Sequence, residues 1–200
     1  MNSAHSLLHA PIVSSEDEEL ILVDPDDRVI GYASKARSHD GQGTLHRAFS
    51  AFIFNARGEL LLHQRASGKR LWPGYWTNSC CSHPRRGESI AEAAERRLEQ
   101  ELGLSCALTF VYKFKYRAQY SSAGAEHELC HVLVGQTANP VQPNPTEVQA
   151  WRFIAPEELD REMAACPERF TPWVKLEWKR LRGEFGAALP RPLQRSEKAD

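Results

Sequence analysis

The sequence lacks a large net charge of either sign, paired cysteines and any long apolar run. Its 25 Lys and Arg residues balance 26 Asp and Glu residues, a formal net charge of −1, which argues against a surface for nucleic acids or anionic membranes. None of its five cysteines forms a Cys-x-x-Cys pair, which argues against a zinc knuckle and a thioredoxin-like site. No apolar run approaches the ~18 residues of a membrane span, and the N-terminus lacks a secretory signal. We expect a soluble protein of the reducing cytoplasm, with no nucleic-acid, membrane or obligate protein partner.

The 200 residues fit one domain, and no internal repeat divides them. We expect an N-terminal extension at 1–19, a folded domain at 20–183 and a polar tail at 184–200. Apolar or alternating segments bounded by turn residues predict strands. These strands lie at 20–23, 28–33, 45–54, 59–65, 108–117, 127–135 and 151–154.

Helix signals occur at three places. Ser89 and Glu92 form a capping box, and an apolar stripe ends before Gly103, which predicts a helix over 90–102. A second helix is expected from Pro156, and a third over 172–182 with Thr171 as its N-cap. These elements predict an α/β sandwich in which helices pack on a mixed, largely antiparallel sheet.

The segment 72–84, WPGYWTNSCCSHP, is the first candidate for chemistry. Cys81 and His83 are two residues apart, so they share one side of an extended segment. A thiol beside a cation or metal can act as an acid or base at neutral pH. A lone cysteine is more often a small buried apolar residue, but the Trp, Pro, Gly and His around Cys81 favour a site.

Two acidic residues and three histidines form the second candidate. Glu126 and Glu128 share one strand face with apolar residues of the core, so they are expected to point inward and to need a partner; the alternative is a solvated acidic edge. With His39, His46 and His83 they make a nitrogen and oxygen ligand set suited to zinc or manganese. Each histidine alone is more often structural. His127 should face away from the two acids, and nothing distinguishes His5, His9 and His63.

Several scattered cations can converge on a phosphate-bearing ligand, where Arg gives bidentate contacts and Lys a point charge. The alternative is a solvated surface, which we favour for Arg85 and Arg86. The remaining candidates are Lys35, Arg65, Lys69, Arg70 and Arg97.

Residues 82–104 resemble a degraded Nudix box. Glu88, Arg96, Leu98 and Glu101 match the pattern, whereas Ser82 replaces its Gly, and Arg97 and Gln100 replace two of its Glu residues. Hydrolysing Nudix enzymes use those carboxylates to hold metal against a diphosphate. The two losses weaken the hypothesis of a diphosphate hydrolase, although one metal position survives at Glu101.

The chain also resembles the type I isopentenyl diphosphate isomerases from about residue 20 to residue 182, through the segment 72–84 and the segment 126–130, EHELC. The resemblance implies a Nudix-like α/β/α sandwich as the catalytic domain. It also implies interconversion of isopentenyl and dimethylallyl diphosphate through a carbocation, in isoprenoid biosynthesis. Cys81 and Glu128 would be the catalytic pair, with Tyr116 and Trp173 beside the alkene; which of the pair protonates stays open. Cys80 is taken as structural.

The same resemblance implies two metals and a diphosphate site. His39, His46, His83, Glu126 and Glu128 would bind an inner divalent metal, Mn²⁺ or Zn²⁺. Glu101 and the backbone carbonyl of Cys81 would bind a Mg²⁺ that arrives with the diphosphate. The diphosphate would contact Lys35, Arg65, Lys69, Ser82 and Arg97.

The proposed carbocation requires shelter from water, and Trp72, Tyr75, Trp76 and Trp173 can supply an aromatic wall; the alternative is ordinary core. Two competing functions remain. A Nudix-type diphosphate hydrolase is disfavoured by Arg97 and Gln100. A non-catalytic, metal-stabilised binding protein leaves Cys81 and the cations unexplained.

Overall fold

The centre of the sheet consists of two long and mostly buried strands, β3 (His46–Phe54) and β8 (Gly124–Gln136). The computed structural model describes residues 11–190, and all its strands belong to one nine-stranded sheet. The other strands are β1 (Glu19–Val23), β2 (Val29–Ser34), β4 (Leu60–Arg65), β5 (Trp76–Thr77), β6 (Cys80–Ser82), β7 (Leu108–Tyr120) and β9 (Val148–Ile154). The helices are α1 (Lys35–His39), α2 (Ile90–Leu102), α3 (Pro156–Ala165) and α4 (Pro172–Gly183).

The sheet is mixed. Within residues 11–190, β3 and β8 are parallel, and every other strand pairing is antiparallel. Strand β8 also pairs with β7 over nearly its whole length, so a long two-stranded ribbon is joined to the centre through β3.

Helices cover both faces of this sheet. On one face, Leu98 and Leu102 of α2 pack with Phe49 and Ile53 of β3. On the other face, Phe52 and Phe54 alternate with Phe49 and Ile53 along β3. They belong to a core that includes Val174 and Trp178 of α4. The expected α/β sandwich with a mixed, largely antiparallel sheet is therefore confirmed.

Helix α2 has the bounds that the sequence predicts. The Ser89 hydroxyl accepts from the backbone N–H of Glu92 at 3.2 Å, and the Glu92 carboxylate accepts from the N–H of Ser89 at 2.8 Å. Gly103 ends the helix with φ of 62°, a conformation that costs glycine little. The helix buries Arg97 and Glu101 beside its apolar residues.

The structure corrects several sequence-based bounds. The sequence pattern missed α1, because five residues give no helical period. Strands β7 and β8 extend beyond the predicted 108–117 and 127–135, since their pairing continues to the tip of the ribbon. Helix α4 begins at Pro172 with Thr171 at its N-cap position, as expected. The Thr171 hydroxyl makes no capping hydrogen bond, because it donates to Thr77 Oγ1 at 3.0 Å.

Residues 1–10 and 191–200 of the expected extension and tail, with His5 and His9, lie outside the described residues. No helix in residues 11–190 is long and apolar enough to cross a membrane.

Candidate metal centre and anion pocket

Strand register places three candidate side chains in one row across the sheet. The parallel pairing of β3 and β8 sets His46 beside Glu128, and the antiparallel pairing of β7 and β8 sets Tyr116 on the other side of Glu128. Paired residues project from the same face of a sheet. The Tyr116 hydroxyl accordingly donates to Glu128 Oε2 at 2.7 Å.

The predicted metal ligands converge on one point. His46 Nε2 lies 3.2 Å from His83 Nε2 and 3.8 Å from Glu128 Oε1. His83 Nε2 lies 3.3 Å from the same carboxylate oxygen. His39 Nε2 lies 2.8 Å from Glu126 Oε2. One ligand atom from each of these five residues lies within 4.8 Å of all the others. Both acids face inward, as the sequence predicts.

The donor set fits a divalent metal. His39 Nδ1 donates to the carbonyl of Lys35, and His46 Nδ1 donates to the carbonyl of Thr44, each at 2.7 Å. A neutral imidazole that donates from Nδ1 presents the lone pair of Nε2, as metal-ligating histidines do. Glu126 Oε2 is buried and accepts no hydrogen bond despite its closeness to His39 Nε2. Lone pairs brought this close are suited to a shared cation, either a proton, which gives His39 a charge, or a metal ion.

Burial and mutual charge separate the two carboxyls of the cluster. Burial, with the charge of Glu126, raises the pKa of Glu128 well above its usual range. Burial acts in the same direction on Glu126, but the charge of His39 outweighs it and lowers the pKa of Glu126 to about 2. Burial, with the charge of His39, lowers the pKa of His46 to about 3. One carboxyl therefore tends to hold a proton while its neighbour is ionised.

Cys81 lies beside this cluster on β6, which pairs with β3 at Ser50. Its Sγ donates to Asn78 Oδ1 at 2.8 Å and lies 3.3 Å from Ser50 Oγ. Burial, followed by the charge of Glu177, raises the pKa of this thiol, so it holds its proton. Cys80 points into the core beneath α2, in agreement with a structural role.

A cavity of about 570 Å³ opens over these groups. His46 and Glu101 lie below its surface, with 0% and 3% of their areas exposed. The other predicted site residues line it: Lys35, His39, Arg65, Lys69, Cys81, Ser82, His83, Arg97, Tyr116, Glu126, Glu128 and Trp173.

The cations on one side of the cavity are held by specific partners. Arg97 Nε donates to Glu101 Oε1 at 2.9 Å, and Arg97 also contacts the carbonyl of Val13. Lys35 Nζ donates to the Ser14 hydroxyl at 2.6 Å. Part of the expected extension therefore lies against this pocket. Arg65 donates to the carbonyl of Leu71 at 2.9 Å.

The three remaining arginines that the sequence analysis considered are Arg70, Arg85 and Arg86. Arg70 lines the cavity but is paired with Asp40 at 2.5 Å. Arg85 and Arg86 are exposed outside the cavity, as expected.

Of the expected aromatic wall, Trp173 lines the cavity, and Arg65 lies over its ring at 5.3 Å. Trp72 supports Trp173 from behind in an edge-to-face contact at 5.2 Å, and Trp76 belongs to the core. Trp72, Tyr75 and Trp76 do not line the cavity, so Trp173 is the one member of the expected wall that does. Trp72 and Trp76 are part of the hydrophobic core instead.

Residues at the positions of the Nudix-like box form two separate ion pairs. Arg96 Nε donates to Glu88 Oε1 at 2.6 Å, which closes the loop before α2. Arg97, at a position where the pattern has Glu, forms an ion pair with the last carboxylate of the box, Glu101.

Sequence reasoning missed Ser50, Asn78, Glu147 and Glu177, which surround the thiol and the cations. Glu147 pairs with Lys69 and with Arg97, and Glu177 is fully buried near Cys81. Glu147 follows a proline-rich loop that carries no period, and Glu177 sits on a helix with other charged residues. Neither position offers a signal before the chain is folded.

Comparison with known proteins identifies related sequences over most of the chain. Residues 44–174 match the NUDIX domain family. An isopentenyl-diphosphate Delta-isomerase 1 from Photorhabdus laumondii is 46% identical, over 80% of this chain and 93% of the relative. An isopentenyl-diphosphate Delta-isomerase from Serratia proteamaculans is 49% identical, over 78% of this chain and 87% of the relative. The resemblance found in the sequence motifs is thereby confirmed.

Solved structures support the fold. The Deinococcus radiodurans protein DR0079 superposes with a TM-score of 0.68 at 21% identity, covering 82% of this chain and 98% of that one. A MutT protein from Methanosarcina mazei gives 0.59 at 17% identity, covering 70% and 95%. At these identities the likeness concerns the fold alone, and it confirms the expected Nudix-like architecture.

Proposed function

The chain belongs to the isopentenyl-diphosphate Delta-isomerase family of NUDIX-domain proteins, and on that premise we propose that it interconverts isopentenyl and dimethylallyl diphosphate. One observation carries the proposal. A partly buried thiol, Cys81, and a buried carboxyl, Glu128, line one cavity together with a cluster of cations. This cavity offers two proton-transfer groups for an alkene and a positively charged region for its diphosphate.

The reaction needs one proton to be added and one to be removed. The terminal CH₂ carbon of isopentenyl diphosphate gains a proton, and the CH₂ group on the other side of the branched carbon loses one, so the double bond moves without net change in atoms. Cys81 and Glu128 are the two groups that we propose for these steps, and reversibility requires each to act in both directions. A positioned acid or base contributes roughly 10²–10⁴-fold to the rate.

Aromatic side chains would stabilise the tertiary carbocation between these steps. Trp173 lines the cavity, and an indole face over a desolvated cation contributes about 2 kcal/mol. The Tyr116 hydroxyl orients Glu128 through Oε2, which leaves Oε1 toward the histidines. Together these rings exclude water, which would otherwise trap the cation.

We further propose two divalent metals. Mn²⁺ or Zn²⁺ would bind His39, His46, His83, Glu126 and Glu128, and Mg²⁺ would arrive with the diphosphate at Glu101 and the carbonyl oxygen of Cys81. When bound, they would fix the carboxylate of Glu128 and neutralise diphosphate charge. Lys35, Arg65, Lys69, Ser82 and Arg97 would hold the diphosphate.

The remaining proposals concern organisation and location. Residues 20–183 would form the catalytic domain, with 1–19 as an extension that contributes Ser14 to the pocket wall. A reducing cytoplasm would keep the Cys81 thiol free for proton transfer.

The test is isomerisation in deuterated water. Purified protein is incubated with isopentenyl diphosphate, Mg²⁺ and Mn²⁺, and the products are followed by NMR. Dimethylallyl diphosphate carrying deuterium is expected. Phosphate release without isomer would instead indicate a hydrolase, and no conversion would contradict the proposed function.

Variants then test the catalytic pair. We expect Cys81→Ala and Glu128→Gln each to abolish turnover while the circular dichroism spectrum stays unchanged. Cys166→Ala removes a free thiol outside the cavity and should retain activity. Near-normal turnover in either pair variant would refute its assigned role.

A further inference from the structure

Glu147 is a buried carboxylate that the proposed chemistry leaves without a task. It lines the cavity with 3% of its area exposed. Its Oε2 accepts from Lys69 Nζ and lies 3.5 Å from Arg97 Nη2. It therefore faces two cations that belong to the proposed diphosphate site.

The backbone holds this carboxylate in place from both sides. The N–H of Glu147 donates to the carbonyl of Asn144 at 3.0 Å, and its own carbonyl accepts from the N–H of Ala66 at 3.0 Å. The N–H of Asn144 in turn donates to the carbonyl of Glu101 at 2.8 Å. The turn before β9 is thus tied to the loop that carries Lys69 and to the last turn of α2.

Glu147 and Glu101 both contact Arg97, and Glu147 also contacts Lys69. Glu101 pairs with Arg97 through Nε, whereas Glu147 contacts both Arg97 and Lys69. In the proposed function, Glu101 would bind the Mg²⁺ that arrives with the diphosphate. Glu147 then remains the carboxylate that faces both cations, and its negative charge opposes a diphosphate that arrives without a metal.

We propose that Glu147 is a positioning and specificity residue that makes the site select the metal complex of a diphosphate over the free anion. A free diphosphate carries more negative charge than its Mg²⁺ complex, so a fixed carboxylate repels it more strongly. By holding Lys69 and Arg97 in ion pairs, Glu147 also weakens the attraction that these cations alone would exert on any anion. This inference rests on the proposed function, because that function supplies the diphosphate and the Mg²⁺.

The experiment measures binding of inorganic pyrophosphate by isothermal titration calorimetry, with Mg²⁺ and with EDTA. Its readout is the ratio of the dissociation constant without metal to that with metal. Glu147→Gln keeps the side chain's shape and removes its charge. We expect this ratio to fall about tenfold, mainly through tighter binding of metal-free pyrophosphate.

A second comparison guards against a misfolded variant. Removing Lys69 and Glu147 together leaves no unpaired charge, so Lys69→Gln/Glu147→Gln is compared with Lys69→Gln alone, and the same tenfold fall is expected. Glu95→Gln, an identical change on the exposed face of α2, should leave the ratio unchanged. Melting temperatures verify that each variant is folded.

The outcomes separate this inference from the proposed function. Three results would each overturn the role of Glu147. The first is a ratio of dissociation constants that changes less than twofold in both comparisons. The others are a loss of affinity that is equal with and without Mg²⁺, and wild-type protein that binds no pyrophosphate. The proposed function is judged independently, by whether wild-type protein forms the deuterated isomer.

Discussion

Glu177 should make the stability of this protein fall with rising pH. The side chain lies on α4, one turn after Trp173, and none of its area is exposed. Its Oε1 accepts from Cys130 Sγ at 3.4 Å, whereas its Oε2 is buried without a hydrogen-bond partner in the described part of the chain. Burial raises the pKa of this carboxyl from 4.5 to about 8.

The sign of the effect follows from proton linkage. A carboxyl whose pKa is higher in the folded state binds more protons there than in the unfolded chain. Its contribution to stability is therefore complete at low pH and is lost as the pH rises from about 4.5 to about 8. At 1.36 kcal/mol per pKa unit, the loss between pH 5.5 and 8.5 is about 3 kcal/mol.

Urea unfolding of wild-type protein and of Glu177→Gln at several pH values measures this loss. The amide has nearly the same shape and does not ionise, so the difference in unfolding free energy between variant and wild type removes the contribution of titrating groups that do not interact with Glu177. That difference should shift in favour of the variant by about 3 kcal/mol between pH 5.5 and 8.5.

Glu158→Gln, on the exposed side of α3, serves as the matched control and should show no such shift. A difference for Glu177→Gln that is independent of pH would refute the reasoning, because it would mean that the carboxyl is ionised in the folded protein throughout this range.

Two further predictions concern the metal cluster. His46→Ala should lose about one divalent ion per chain in elemental analysis, whereas His127→Ala, on the opposite face of β8, should retain it; a metal-free preparation with full activity would contradict this. Gly124→Ala should unfold about 2–3 kcal/mol more easily in urea and bind less metal, because its Cβ would lie 2.3 Å from the carbonyl oxygen of His39 at a φ of 141°. Gly183→Ala, where a Cβ meets open space, is its control, and equal stability of the two variants would refute the predicted clash.

Sequence patterns predicted the structure correctly where the interactions join residues that are close in the sequence. The bounds of α2 follow from Ser89, Glu92 and Gly103, whose contacts span one turn of helix. The inward direction of Glu126 and Glu128 follows from the two-residue period of a strand. The proposed ligands and cations came from motifs that this chain shares with its family, so their roles stay predictions until the variants are measured.

The sequence by itself thus determined the fold class, the main elements and the family, because propensity, periodicity and motifs are properties of short segments. Only the tertiary structure decided which groups meet. The parallel pairing of β3 with β8 sets His46 beside Glu128 across 82 positions of sequence. Folding likewise brings Glu147 to Lys69 and buries Glu177 near Cys81. Burial and charge act through space, so contacts between distant segments determine how these carboxyls behave.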